Sequence, residues 1–434
     1  MGHITAKDAF QTLRAKLDRM PVGAPGQSTI YDILKTVFTE EEAALASRMP
    51  FRLSPLGSLA RRFNMKPNVL QKKLEVMADK GLVFDLELGG KTRYMLMPTM
   101  VGFFEFSMMR LRDDFDQAKL AGLFHQYILE EPEFLGQFQK GTQTTPFRTL
   151  VHEETYSEIL DWERASYLVQ NTQRWSVGLC HCRHIAHHQG HDCERFPLET
   201  CLSMGKSADY VIQHHFGRSI SQAEALDLLG RSRDAGLIHI ADNVKNEPAF
   251  ICNCCGCCCE ILLGFKKFKV FGNTFSSNYL PEVNSEACIG CNICKKSCPI
   301  DAIAMVPYER QKNGKRLKQM AKVDESICLG CGVCALRCEN QAIRMKYREK
   351  RRIPPENVFA RVLTMAIEQG KLHELLVDKD DGLTAHTANL FINALMNLPP
   401  GKQLLARANI KSRFVDYLVG RINRKPHQPV QKQP

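Results

Sequence analysis

Four evenly spaced cysteines occur twice in this chain, and no other feature limits its fold as tightly. The segment SEACIGCNICKKSCPIDAIAM (285–305) returns as ESICLGCGVCALRCENQAIRM (325–345), and both copies read C-x2-C-x2-C-x3-C. Cys288, Cys291, Cys294 and Cys298 map onto Cys328, Cys331, Cys334 and Cys338 with a period of 40. A tight loop of this spacing wraps three thiolates around one centre while the fourth reaches across to another. Zinc also takes C-x2-C pairs, but a tetrahedral site has little use for four evenly spaced cysteines in one short run, repeated twice.

Compartment decides how the 18 cysteines in 434 residues are read. The N-terminus, MGHITAKDAFQTLRAKLDRM, has no apolar core and no small-residue cleavage site. No stretch approaches the ~18 apolar residues of a membrane span. A cytoplasmic chain is expected, and among reduced thiols its cysteines hold metal rather than form disulfides. The net charge of +11 favours acidic partners: nucleic acid, an acidic redox protein or an anionic surface.

At ~150 residues per domain, the length allows about three domains. The reading is a multidomain α+β chain. Residues 1–110 are a helical lead and a compact helical unit, 111–179 a helical connector, and 180–283 a Cys/His-rich metal domain. Residues 284–346 carry the repeats, and 347–434 form a helical tail with a disordered end. In the first unit, Ser28 and Thr29 are expected to cap a helix to about Ala46, and Ser54 a second. A third runs from Pro67 to Lys80 with Val69, Leu70, Leu74 and Met77 inward, closed by Gly81. LVFDLELGGKTRYMLM then reads as two strands around Gly89-Gly90. Helix, helix, helix, hairpin resembles the winged-helix family over residues 28–98.

The repeats resemble the bacterial two-cluster ferredoxins over about 60 residues. That resemblance implies two 4Fe-4S clusters, one held by Cys288, Cys291, Cys294 and Cys338, the other by Cys328, Cys331, Cys334 and Cys298. Gly290 and Gly330 allow the backbone to approach each cluster. The family's proline follows the fourth cysteine in the first repeat (Pro299), whereas the second has Glu339. Glu339 should lower the potential of the first cluster, and Lys295 and Lys296 should raise it. Between the repeats lies a basic insert, with Arg310, Lys312, Lys315, Arg316 and Lys318 around an Asn313-Gly314 turn.

Ten further cysteines lie upstream. Cys180, Cys182, Cys193 and Cys201 occur in CHCRHIAHHQGHDCERFPLETC. Cys252, Cys254, Cys255, Cys257, Cys258 and Cys259 form the run CNCCGCCC. One cubane takes only four ligands. Cys252, Cys255 and Cys258 repeat the C-x2-C-x2-C spacing, Gly256 frees the backbone to fold around a cube, and Cys254 and Cys257 form an interleaved pair. Neighbours on an extended chain face opposite ways, so the run can serve two sites. One or two additional Fe-S clusters are expected, with zinc as the alternative. The CxCR segment together with the run is similar to uncharacterised iron–sulfur proteins of anaerobic bacteria. His181, His184, His187, His188, His191, His214 and His215 lie near these cysteines. If helical, His184 and His188 share a face.

No G-x-G-x-x-G, G-x4-G-K-[ST] or C-x-x-C-H occurs, which removes visible dinucleotide, nucleotide-pump and haem chemistry. The expected function is electron transfer to an oxidoreductase partner, as a component rather than a stand-alone enzyme. A redox-sensing DNA-binding regulator is the alternative. It would read DNA through residues 54–98, with Asn68, Gln71, Lys72 and Glu75 outward and Lys66, Lys73, Arg61 and Arg62 nearby. Asp85 and Glu87 on the hairpin argue against DNA. The basic stretch 344–352 is expected to begin a charged helix.

Overall fold

The computed structural model describes residues 6–137, 144–156, 158–268, 275–312 and 315–376, with Thr387. The Asn313-Gly314 turn and the far end of the C-terminal segment lie outside the described residues.

The N-terminal unit follows its pattern with local corrections. Helix Ser28–Val37 takes no side-chain cap: Gln27 is the N-cap, and Ser28 lies inside the helix. The chain breaks at Phe38 and restarts at Thr39, whose hydroxyl and Glu42 form a reciprocal capping box for helix Glu40–Ser47. Ser54 caps nothing. It pairs with Tyr94 in the two-residue strand β1 (Ser54–Pro55), and helix Leu56–Phe63 follows directly. Helix Pro67–Asp79 buries Leu70, Leu74 and Met77, whereas Val69 faces out. β2 (Val83–Leu88) and β3 (Lys91–Leu96) form the expected hairpin, in a sheet of order β1-β3-β2.

The middle of the chain departs furthest from expectation. β4 (Phe147–Thr149), β5 (Trp175–Leu179), β6 (Glu199–Met204), β7 (Gly217–Ile220), β8 (Ile238–Asp242) and β9 (Phe250–Cys254) make one antiparallel sheet of order β4-β8-β9-β6-β5-β7. Two of its strands come from the stretch expected to be a helical connector. They pair with strands from the cysteine-rich stretch, so one sheet spans both.

The ferredoxin-type region adds two antiparallel pairs. β10 (Tyr279–Val283) lies on β13 (Ile343–Tyr347), and β11 (Ile303–Lys312) on β12 (Lys315–Val323). Residues 348–357 form no helix. Arg348 turns inward, donating to the carbonyls of Ser277 and Cys328.

One hydrophobic cluster runs from Leu13 and Ile33 through Phe104, Phe124 and Tyr127 to Phe265, Leu329 and Met365, and a second, with Leu168, Val177, Leu202 and Ile251, lies against the six-stranded sheet. Helix Val358–Glu368 closes the molecule. Arg361 pairs with fully buried Asp242 at 2.9 Å, Lys371 donates to the carbonyls of Asp18 and Met20, and Glu374 pairs with Arg19. Among the described residues, no helix is long and apolar enough to cross a membrane.

Candidate metal centres

All 18 cysteines are free thiols. In the ferredoxin-type region two cavities form, and each draws three cysteines from one repeat and the fourth from the other. One is lined by Cys288, Cys291, Cys294 and Cys338, the other by Cys328, Cys331, Cys334 and Cys298. The two crossing sulfurs have matched surroundings: Cys298 Sγ accepts from the amide of Ala302, and Cys338 Sγ from that of Ala342, both at 3.3 Å. Burial pushes Cys294 and Cys328 up to about 11. Thiolate there needs nearby positive charge, which iron supplies. The residues therefore fit a pair of cubane clusters in donor type, number and placement.

Arg310 serves this scaffold. It donates to the carbonyls of Glu286 and Cys288, and Gln319 donates to that of Gly290. Arg310 and Gln319 on the hairpin thus brace the first loop.

The ten middle cysteines divide in a way their spacing does not announce. β9 ends at Cys254. On a strand, alternate residues share a face, so Cys252 and Cys254 lie together. Cys201 on β6 falls beside Cys252, next to the Leu202–Ile251 pair. Contacts link Cys201 with Cys252, Cys254 with both Cys252 and Cys259, and Cys182 with Cys259, and Cys180 lies close by. After Cys254 the chain turns, and Cys255, Cys257 and Cys258 meet Cys193 instead. Cys252 is thus separated from Cys255 and Cys258, so the C-x2-C-x2-C triplet does not converge. The run divides between two groups, three of its cysteines to each: with the upstream cysteines, one group holds six sulfurs and the other four.

Arg183 stands between the two groups, buried, with its guanidinium donating to the Asn253 carbonyl at 3.0 Å. Burial works against its charge, but Cys180, Cys255 and Cys193 hold it firmly protonated. In the six-cysteine group, Cys182, Cys201 and Cys254 are pushed up because their thiols donate to neighbouring sulfurs. Cys252 and Cys259 accept those bonds and are pushed down. Glu105 borders the group near Cys252, and burial raises it to about 7.

The histidines have structural places. His184 and His188 share a helix face, with rings 4.7 Å apart, but His184 Nδ1 bonds to the Met108 carbonyl. His181 packs on Phe124. His187 pairs with Asp192 at the surface, and His191 is exposed. His214 bridges Asp79 at 2.6 Å and Asp85 at 2.8 Å. Asp85 is therefore buried against the middle region and says nothing about DNA.

Two histidines that sequence reasoning missed carry more. The amide of His152 donates to the Cys331 carbonyl, and its ring lies 4.8 Å from that of His239. His239 in turn bonds to Asn253, between Cys252 and Cys254. Both rings are held neutral by burial, His152 lowered to about 4 and His239 to about 3. Gly256 closes a second contact: a Cβ there would lie 2.3 Å from the Pro299 carbonyl oxygen, one residue beyond Cys298. Its φ is ordinary, so close approach, not turning, requires the glycine. No sequence signal marks the His152–Cys331 and Gly256–Pro299 contacts, which join positions 179 and 43 residues apart.

The chain thus pairs a ferredoxin-type domain with a separate cluster of cysteines around Cys255. Residues 287–342 match the family model of a 4Fe-4S dicluster domain. No curated protein and no solved structure matches the chain.

Proposed function

We propose that this protein is an electron-transfer component of a cytoplasmic oxidoreductase system, suited to anaerobic conditions. Single electrons pass from an acidic redox partner through two 4Fe-4S clusters to a third cluster among the middle cysteines, and on to an oxidoreductase. The first cluster takes Cys288, Cys291, Cys294 and Cys338, the second Cys328, Cys331, Cys334 and Cys298. The third draws its ligands from Cys180, Cys182, Cys201, Cys252, Cys254 and Cys259. A winged-helix-like unit (1–110) and the segment 347–376 flank these centres.

One observation carries the reading. The pocket that would hold the second cluster packs against the cysteine-rich unit: the amide of His152 donates to the Cys331 carbonyl, and Gly256 lies against Pro299, the residue after the crossing ligand Cys298. Two centres in series that abut a third suit transfer, whereas a sensor needs only one. The first loop supports a surface where electrons enter: Cys291, Ile289, Ile293, Lys295 and Lys296 are exposed. Its charge suits an acidic partner.

The test is anaerobic purification of the full chain, iron and acid-labile sulfide counts, and EPR of the reduced protein. About twelve irons with equal sulfide are expected, four per cluster. About eight would remove the third cluster and end the proposed route.

The regulator reading keeps one observation in its favour: Asn68, Gln71, Lys72 and Glu75 are exposed along one helix. Duplex binding by the full chain near ~10⁻⁸ M with strong sequence discrimination, lost on oxidation, would favour it over electron transfer.

A further inference from the structure

The sulfur positions separate two kinds of metal chemistry. Four thiolates on one tetrahedral zinc ion, each ~2.3 Å from the metal, must lie about 3.8 Å from one another. A four-iron cube places its own irons between thiolate and centre, spreading its cysteine sulfurs to about 6 Å. The protein contains its own reference for the second case. Neither ferredoxin-type quartet brings three sulfurs within 4.8 Å of one another.

Cys193, Cys255, Cys257 and Cys258 behave differently. All four Sγ atoms lie within 4.8 Å of one another, the one such group among the described residues. Cys193 Sγ is 3.7 Å from Cys255 Sγ and 3.9 Å from Cys257 Sγ, and Cys257 and Cys258 are 3.7 Å apart. These are the edges of a tetrahedron around one ion, too short for a cube. The six-cysteine group on the far side of Arg183 has no such trio.

The setting fits a structural ion. Residues 189–198 form an irregular, largely exposed loop, and only Cys193, Phe196 and Leu198 turn inward from it. Cys193 is the single ligand from this loop, and the other three come from the turn after β9. An ion here would staple the loop to that turn. It would also fix the direction in which Cys252, Cys254 and Cys259 leave it. Closed four-thiolate sites without an open position are the structural zinc type.

We infer that Cys193, Cys255, Cys257 and Cys258 hold one tetrahedral zinc ion, leaving the six-cysteine group as the place for the third cluster. The second clause rests on the function proposed above, but the zinc site does not. The test uses the full chain, produced anaerobically with iron and zinc supplied. X-ray absorption at the zinc edge is expected to show four sulfurs at ~2.3 Å, with about one zinc per chain. Cys193→Ser should lower zinc several-fold and leave iron and sulfide unchanged. Cys201→Ser should do the reverse. Zinc absent from the wild-type chain, zinc bound by nitrogen or oxygen, or iron in place of zinc at these four thiolates would each overturn the inference. Because the wild-type spectrum decides alone, misfolding of Cys193→Ser does not rescue it. One zinc with only eight irons would leave this site standing and remove the third cluster.

Discussion

The two repeats of the ferredoxin-type region share spacing and backbone but not surroundings. In the first loop Ile289 is 38% exposed and Ile293 40%; their counterparts Leu329 and Val333 are 2% and 1% exposed. Asn292 and Gly332 occupy equivalent positions, both with left-handed backbones. Asn is among the few side chains that adopt that conformation routinely. At Gly332 a Cβ would stand 3.0 Å from Thr155 Oγ1, against the cysteine-rich unit. Duplication thus leaves one face for the outside and one for the interior. Symmetric ligands acquire direction from what covers them.

The strongest way to break this comparison is to remove the crossing ligands. Cys298→Ala should destroy the cluster of the second repeat and sharply reduce folded yield, because that loop is built into the core. Cys338→Ala should cost only the cluster of the first repeat. EPR assigned to each cluster, with yield, decides; damage confined to the mutated repeat's own cluster would refute the crossing. Gly332→Asn comes next. It should destabilise by about 2 kcal/mol through overpacking against Thr155, while Asn292→Gly changes stability little in thermal melts.

Potentials offer a third test. The Arg348 guanidinium is bonded at 2.6 Å to the Cys328 carbonyl, and its charge would favour the reduced state of a cluster held there. At ~8 Å and an effective dielectric of ~20, removing its charge is worth about 2 kcal/mol, or about 90 mV for one electron. Arg348→Gln should lower that potential in a redox titration and leave the exposed cluster nearly unmoved. A smaller effect is expected at the open face. Lys295→Glu with Lys296→Glu should slow reduction by an acidic donor about tenfold at low salt, and the difference should fade at high salt.

The smallest effect lies at His214, where the cysteine-rich unit meets Asp79 and Asp85 of the N-terminal unit. Burial opposes its charge, but Asp85 and Asp79 outweigh that and raise its pKa above 6.5. The stabilisation is full below about 6.5 and fades as pH rises through the raised value. His214→Gln should therefore cost about 1 kcal/mol at pH 6 and less at pH 9, read from denaturant melts. A gap that widens with pH would contradict the pairing.

How much the sequence disclosed follows from range. The repeats and the 83–96 hairpin are local patterns, and both were legible. So was the break before Thr39, since Thr39-x-x-Glu42 is a capping box that the longer helix reading passed over. The six-stranded sheet was not legible, because its strands are short and pair across long intervals. The middle cysteines misled for a related reason. Spacing counts residues, and Cys252 parts from Cys255 because the chain stops being a strand between them. Arg348 and Asp85 looked like surface charges because nothing nearby in sequence announces their buried partners.

The contact of Lys371 with the end of the first helix also sets an order of events during synthesis. The carbonyls of Asp18 and Met20 wait for a residue made more than three hundred positions later. Every cysteine ligand, the last being Cys338, leaves the ribosome before that latch exists. At ~5–20 residues per second, Lys371 follows Cys338 by roughly 2–7 s. The chain is thus still open while its thiols first become available to metal, and it locks only once they have all been made.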